Sequence, residues 1–144
     1  MTKIYLKRVD NAFHMEAANE DGRTVHMDAA EKVGGRNRGV RPMQMLLMAL
    51  AGCSGIDILG ILVKQRQQIS DFKIEVEGER EQVKNGSAVF KTVNVLFRLK
   101  GRIDKQKAQR AAELSVDKYC SVAKTLRLAG AKVEYKVFVN DKLV

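Results

Sequence analysis

A chain of 144 residues, 45% apolar and 30% charged, has the composition of an ordinary globular protein and is expected to form one domain, 1–144; a disordered chain is excluded. Two cysteines, Cys53 and Cys120, are too few for a secreted disulfide framework and wrongly spaced for zinc. No metal or other cofactor is therefore expected, and a reducing cytoplasm is the expected compartment. The net charge of +9 is spread along the chain without a concentrated basic block, and aromatic residues, at 6%, do not recur among the basic ones; a nucleic-acid partner is disfavoured.

Residues 3–9 alternate, with Ile4, Leu6 and Arg8 on one side and Tyr5, Lys7 and Val9 on the other, which predicts a strand. Asp10-Asn11 signals a turn and residues 12–17 a second strand. Glu20-Asp21-Gly22 signals another turn and residues 24–28 a third strand. His14 and His26 fall in these strands with no other ligand types beside them and read as structural residues. Residues 29–41 form a loop rich in glycine (Gly34, Gly35, Gly39) and arginine (Arg36, Arg38, Arg41). Such a loop could cradle an anion, but no Gly-Lys-Ser/Thr follows, and a connector is the preferred reading.

The stretch 42–63, PMQMLLMALAGCSGIDILGILV, organises the rest. Pro42 suits the first helical position, and Met, Leu and Ala favour helix. Its apolar residues run all the way round, so this helix needs cover on every side or a bilayer. Gln44 and Asp57 argue against the bilayer, since a central acid is expensive in lipid. So short a chain has little else with which to surround it. A second copy could supply the missing cover, and an obligate homodimer is expected.

Two long strands follow, 72–77 and 90–100, around the turn signal Asn85-Gly86. Asp104 can cap a helix over 105–118, whose residues Ala108, Ala111, Ala112 and Ser115 make a face suited to close packing. Cys120-Ser121 marks a break, residues 122–128 a short helix stopped by Gly130, and residues 133–139 a closing strand. The order is βββ-α-ββ-αα-β, an α+β layout.

On local chemistry the two thiols differ. Asp57 lies one turn beyond Cys53, where a carboxylate opposes thiolate formation. Cys120 lies at a helix start near Lys118 and Lys124, and all three features favour its thiolate. Neither cysteine carries a Cys-His-Asn or Cys-His-Asp pattern, so a papain-like hydrolase lacks support.

The run PMQMLLMALAGCSGID, residues 42–57, resembles the central helix of the OsmC/Ohr family, and KYCSVA, residues 118–123, resembles that family's second cysteine segment. The element order matches over nearly the whole chain, and the likeness is greatest to the YhfA-like branch. The resemblance implies an intertwined homodimer with long central helices wrapped by sheets from both chains. It implies reduction of organic hydroperoxides, with Cys53 as the peroxidatic and Cys120 as the resolving cysteine, restored by a cellular dithiol. Characterised enzymes of the family open the central helix with Asn-Pro-Glu, whose Glu holds an Arg that lowers the thiol pKa. Here the triplet is Arg41-Pro42-Met43 with Gln44 next. Arg8, Gln44 and Asp57 are the candidate supporting residues. The alternative is a binding or redox-sensing protein of the same fold, with an apolar ligand and no efficient turnover.

Overall fold

A computed structural model describes all residues, Met1–Val144, and the chain forms two compact units, Met1–Leu46 and Leu47–Val144. Three helices and two sheets confirm the α+β class. The elements are β1 (Ile4–Arg8), β2 (Met15–Asn19), β3 (Thr24–Met27), α1 (Pro42–Lys64), β4 (Gln68–Gln82), β5 (Ala88–Arg102), α2 (Lys105–Leu114), α3 (Ser121–Leu128), β6 (Lys132–Val139) and β7 (Lys142–Leu143).

In the first unit β1, β2 and β3 make the expected antiparallel meander. Its register sets Leu6 opposite Ala17 and Ala17 opposite Val25, so one face of the sheet is apolar. β2 starts later than its alternation suggests. The Asp10 carboxylate accepts hydrogen bonds from the amides of Ala12 and His14, and this Asx-type turn keeps residues 10–14 out of the ladder. His14 therefore precedes β2, where its ring lies 2.8 Å, nitrogen to nitrogen, from His26 on β3.

The glycine–arginine loop is folded round an anion of its own. Asp28 is buried, and its carboxylate accepts hydrogen bonds from the backbone amides of Ala29, Arg36 and Arg38. These bonds hold the Asp28 pKa below its usual 3.8 against the opposing effect of burial. Gly35 is required there, because a Cβ would run into the carbonyl of Ala29. The connector reading thus holds, and an internal carboxylate takes up the loop's anion-binding amides. A group whose folded pKa is depressed stabilises above its unfolded pKa and loses that contribution as pH falls through the lower folded value. Acidification from pH 5 to pH 3 is expected to loosen this loop, and Asp28→Ala to loosen it already at pH 7. Amide hydrogen exchange at Arg36 and Arg38 measures both.

The predicted central helix is α1. Arg41 precedes it, and the Arg41 amide donates to Gln44 Oε1 at 2.9 Å, half of a capping box, with Pro42 in the first helical position. In the second unit Leu50, Ser54, Gly55, Ile58 and Leu62 form the buried side of α1. Gly55 lets the helix approach β4, since a Cβ there would lie 2.8 Å from Ile74 Cδ1.

β4 and β5 form one long antiparallel hairpin, and β6 joins β5 in parallel. A parallel neighbour needs a crossover, and α2 with α3 supplies it. The Asp104 cap is in place, accepting from the Lys107 amide, and Ala108, Ala111, Ala112 and Ser115 are all fully buried. The inner sheet face is the apolar set that alternation marks out, with Ile74 opposite Phe97 and Phe97 opposite Val137. Two features lie outside the sequence expectation. The helix predicted to reach Lys118 widens into a π-helical turn at Ser115–Tyr119. A last hairpin adds β7 through Asn140 and Asp141, both at positive φ as a two-residue loop demands.

Candidate functional site

Both cysteines belong to the second unit, and the fold brings their side chains together. Cys53 comes from α1, and Cys120 from the point where the π-helical turn gives way to α3. Both are free thiols, and Cys53 lies near enough to Cys120 to influence its ionisation. Cys53 is half-buried, whereas Cys120 is 2% exposed, which makes Cys53 the thiol a solute meets first.

Cys120 caps α3, as expected, and its Sγ accepts from the Ala123 amide at 3.4 Å. Its ionisation nevertheless runs opposite to the expectation from sequence. Burial is the largest effect and, with the neighbouring Cys53 thiol, pushes the Cys120 pKa up from 9.0 to about 11, more than its helix-start hydrogen bonds lower it. Lys118 does not rescue the thiolate; its ammonium lies over the Tyr119 ring. Because Cys120 is held protonated, its alkylation by iodoacetamide at pH 8 is expected to lag well behind that of Cys53. It should accelerate about tenfold per pH unit until the pH nears 11. Peptide mapping after timed labelling reads both rates.

Asp57 does not stand free beside Cys53. Its Oδ2 accepts from the Ser115 hydroxyl at 3.1 Å, and the same hydroxyl lies 3.2 Å from the carbonyl of Ser54. Gln44, in the first unit, has its side-chain oxygen committed to the Arg41 amide. Arg8, also in the first unit, sits exposed at the end of β1 opposite Met15. Of the five residues the sequence singles out, the fold thus gathers Cys53, Cys120 and Asp57 in the second unit and leaves Arg8 and Gln44 in the first; it adds Ser115, read from sequence only as part of a close-packing face. The signal for Ser115 was present, as the one hydroxyl on a face otherwise made of alanine.

The OsmC-like family model matches residues 34–136, a span that includes both cysteines. The chain belongs to the OsmC-like family. It is 43% identical over 89 residues to Protein YhfA of Escherichia coli strain K12, a match covering 61% of this chain and 65% of that protein, just under two thirds of the relative's length. Among solved structures, a hypothetical protein from Aquifex aeolicus VF5 superposes with a TM-score of 0.78 at 24% identity, covering 97% of this chain and 98% of that one. An organic hydroperoxide resistance protein OsmC from Legionella pneumophila superposes with a TM-score of 0.67 at 16% identity, covering 96% of each chain. At these identities the superpositions establish the shared fold. The OsmC-like fold therefore carries the Cys53–Cys120 pair across α1 and the start of α3.

Proposed function

We propose that this OsmC-like protein reduces organic hydroperoxides through Cys53 and Cys120. The observation that carries this reading is the pairing itself: a half-buried thiol on an apolar helix faces a buried thiol held in its protonated form. The Cys53 thiolate attacks the terminal peroxide oxygen. An S–O bond forms, the O–O bond breaks, and the alkoxide leaves as the alcohol after taking a proton. The Cys53 sulfenic acid then condenses with Cys120, releasing water and leaving a disulfide. A cellular dithiol restores both thiols by exchange. The protected, neutral Cys120 does not compete with Cys53 for peroxide, and it gives up its proton to the departing oxygen as it attacks the sulfenic sulfur.

The groove next to Asp57 is lined by Ile56, Gly60, Ile61, Leu114 and Tyr119 together with the charged Asp57 and Lys64, so it offers an apolar wall with one acid and one base at its edge. The name of the Legionella protein points to organic hydroperoxides as the substrate class. One observation favours the alternative, a sensing or ligand-binding protein: the residue that caps α1 is the neutral Gln44, not a carboxylate that could hold an activating arginine.

The working form is proposed to be a cytoplasmic homodimer. Within the second unit α1 leaves Ile56, Leu59 and Val63 exposed at 74%, 37% and 64%, all on one helix face. Within the first unit Ile4, Leu6 and Val25 are exposed on one sheet face. Only 28% of the most apolar part of α1 is buried within one chain, and a second copy is the simplest cover. Intact mass spectrometry before and after cumene hydroperoxide tests the chemistry. Loss of two hydrogens per chain supports it. No mass change at doses that oxidise glutathione would hand the lead to the binding reading.

A further inference from the structure

We propose that Ser115 is a positioning residue for the thiol pair, holding the segment that carries Cys120 where it meets Cys53 and so setting how readily the disulfide closes; its part in catalysis rests on the peroxide-reducing reading. Ser115 is fully buried, and its bonds reach both cysteine-bearing segments. Its carbonyl accepts from the Cys120 amide at 2.8 Å, the wide closure of the π-helical turn. Its hydroxyl is shared between the carbonyl of Ser54, the residue after Cys53, and the Asp57 carboxylate one turn further on. One side chain thus ties the backbone on which Cys120 hangs to the stretch of α1 on which Cys53 sits.

The chemistry of the position argues the same way. Ala108, Ala111 and Ala112 show what close packing alone calls for on this face. A buried hydroxyl is costly unless it is hydrogen-bonded, and here both of its acceptors lie on α1. The π-helical turn itself marks an interrupted helix of the kind found at functional sites. Its other flank is held independently: Arg127 donates to the carbonyls of Val116 and Val133 and to Asp117, and Tyr135 donates to Asp117. The turn is therefore anchored to β6 through Arg127 and to α1 through Ser115. In closure the Cys120 sulfur attacks the Cys53 sulfenic sulfur. The S–S bond forms, the S–O bond breaks, and oxygen leaves as water with the thiol proton. The rate and the equilibrium of such a step depend on how well the two sulfurs are held together.

The test measures the Cys53–Cys120 equilibrium in buffers of reduced and oxidised glutathione, read by mass spectrometry. Ser115→Ala is expected to shift it about tenfold toward the dithiol, which is about 30 mV for a two-electron couple, and Asp57→Ala, which leaves the bond to the Ser54 carbonyl, by about fivefold. Asp57→Asn, whose side-chain oxygen still accepts, should stay within about twofold of the parent, and the double variant Ser115→Ala with Asp57→Ala should fall no further than Ser115→Ala alone. An unchanged equilibrium in both alanine variants would overturn the proposal, as would strict additivity. If Ser115→Ala does not fold, the comparison of Asp57→Ala with Asp57→Asn decides alone. A second arm adds cumene hydroperoxide with dimedone, where the alanine variants should leave more Cys53 trapped as sulfenic acid. A parent chain that yields neither adduct nor disulfide there refutes peroxide reduction, while the glutathione equilibrium still decides the role of Ser115.

Discussion

Replacing Cys53 by serine is expected to abolish peroxide consumption, a loss of roughly a thousandfold or more, because the one remaining thiol, Cys120, is buried away from the peroxide. Replacing Cys120 by serine should act differently. The first turnover survives, the sulfenic acid on Cys53 persists, and dimedone captures it because no resolving thiol remains. In Cys53→Ser, Cys120 should stay largely unmodified at the same dose, since it is 2% exposed and burial, the largest cause of its raised pKa, remains in the variant. Peroxide loss followed in a colorimetric assay, together with mass mapping of the two thiols, gives the asymmetry directly. Preferential oxidation of Cys120 would reverse the roles and remove the proposed mechanism.

The second large effect concerns the exposed face of α1. Ile56→Glu combined with Val63→Glu is expected to weaken self-association by roughly a thousandfold or more. Two apolar anchors are lost per chain, the twofold axis doubles the loss, and each carboxylate would need burial without a partner. Light scattering across a dilution series would then show the variant at the mass of one chain where the parent shows two. A parent chain that stays a stable monomer at all concentrations would refute the dimer. Because the two substitutions lie on the exposed side of α1, opposite Leu50, Ile58 and Leu62, they leave the buried side of the helix intact.

Much of this architecture is readable from short-range patterns. Alternation marks out β1, β3 and the apolar face of β4 and β5. Pro42 marks the start of α1, and Asp104 caps α2 as its side chain predicts. Where the reading slipped, a specific side chain or backbone state intervened. Asp10 captured the amides of Ala12 and His14 and delayed β2, while Asn140 and Asp141 turned the chain at positive φ to add β7. The π-helical turn has no periodic signature, because it ends the helix and no further turn follows in which a shifted spacing of apolar residues could show.

By itself the sequence determined the element order as far as β6, the apolar helix, the family and the pair of thiols proposed to react, since each rests on local propensity or on a contiguous motif. Only the tertiary structure decided what those thiols are like. Local features at Cys120, a helix start and nearby lysines, all favour its ionisation, yet burial in the packed unit outweighs them and keeps the thiol protonated. Asp57, read as a charge beside Cys53, is instead the acceptor for a serine 58 positions away in sequence. Desolvation and long-range hydrogen bonding depend on which residues the fold brings round a group, and neighbours along the chain do not specify that.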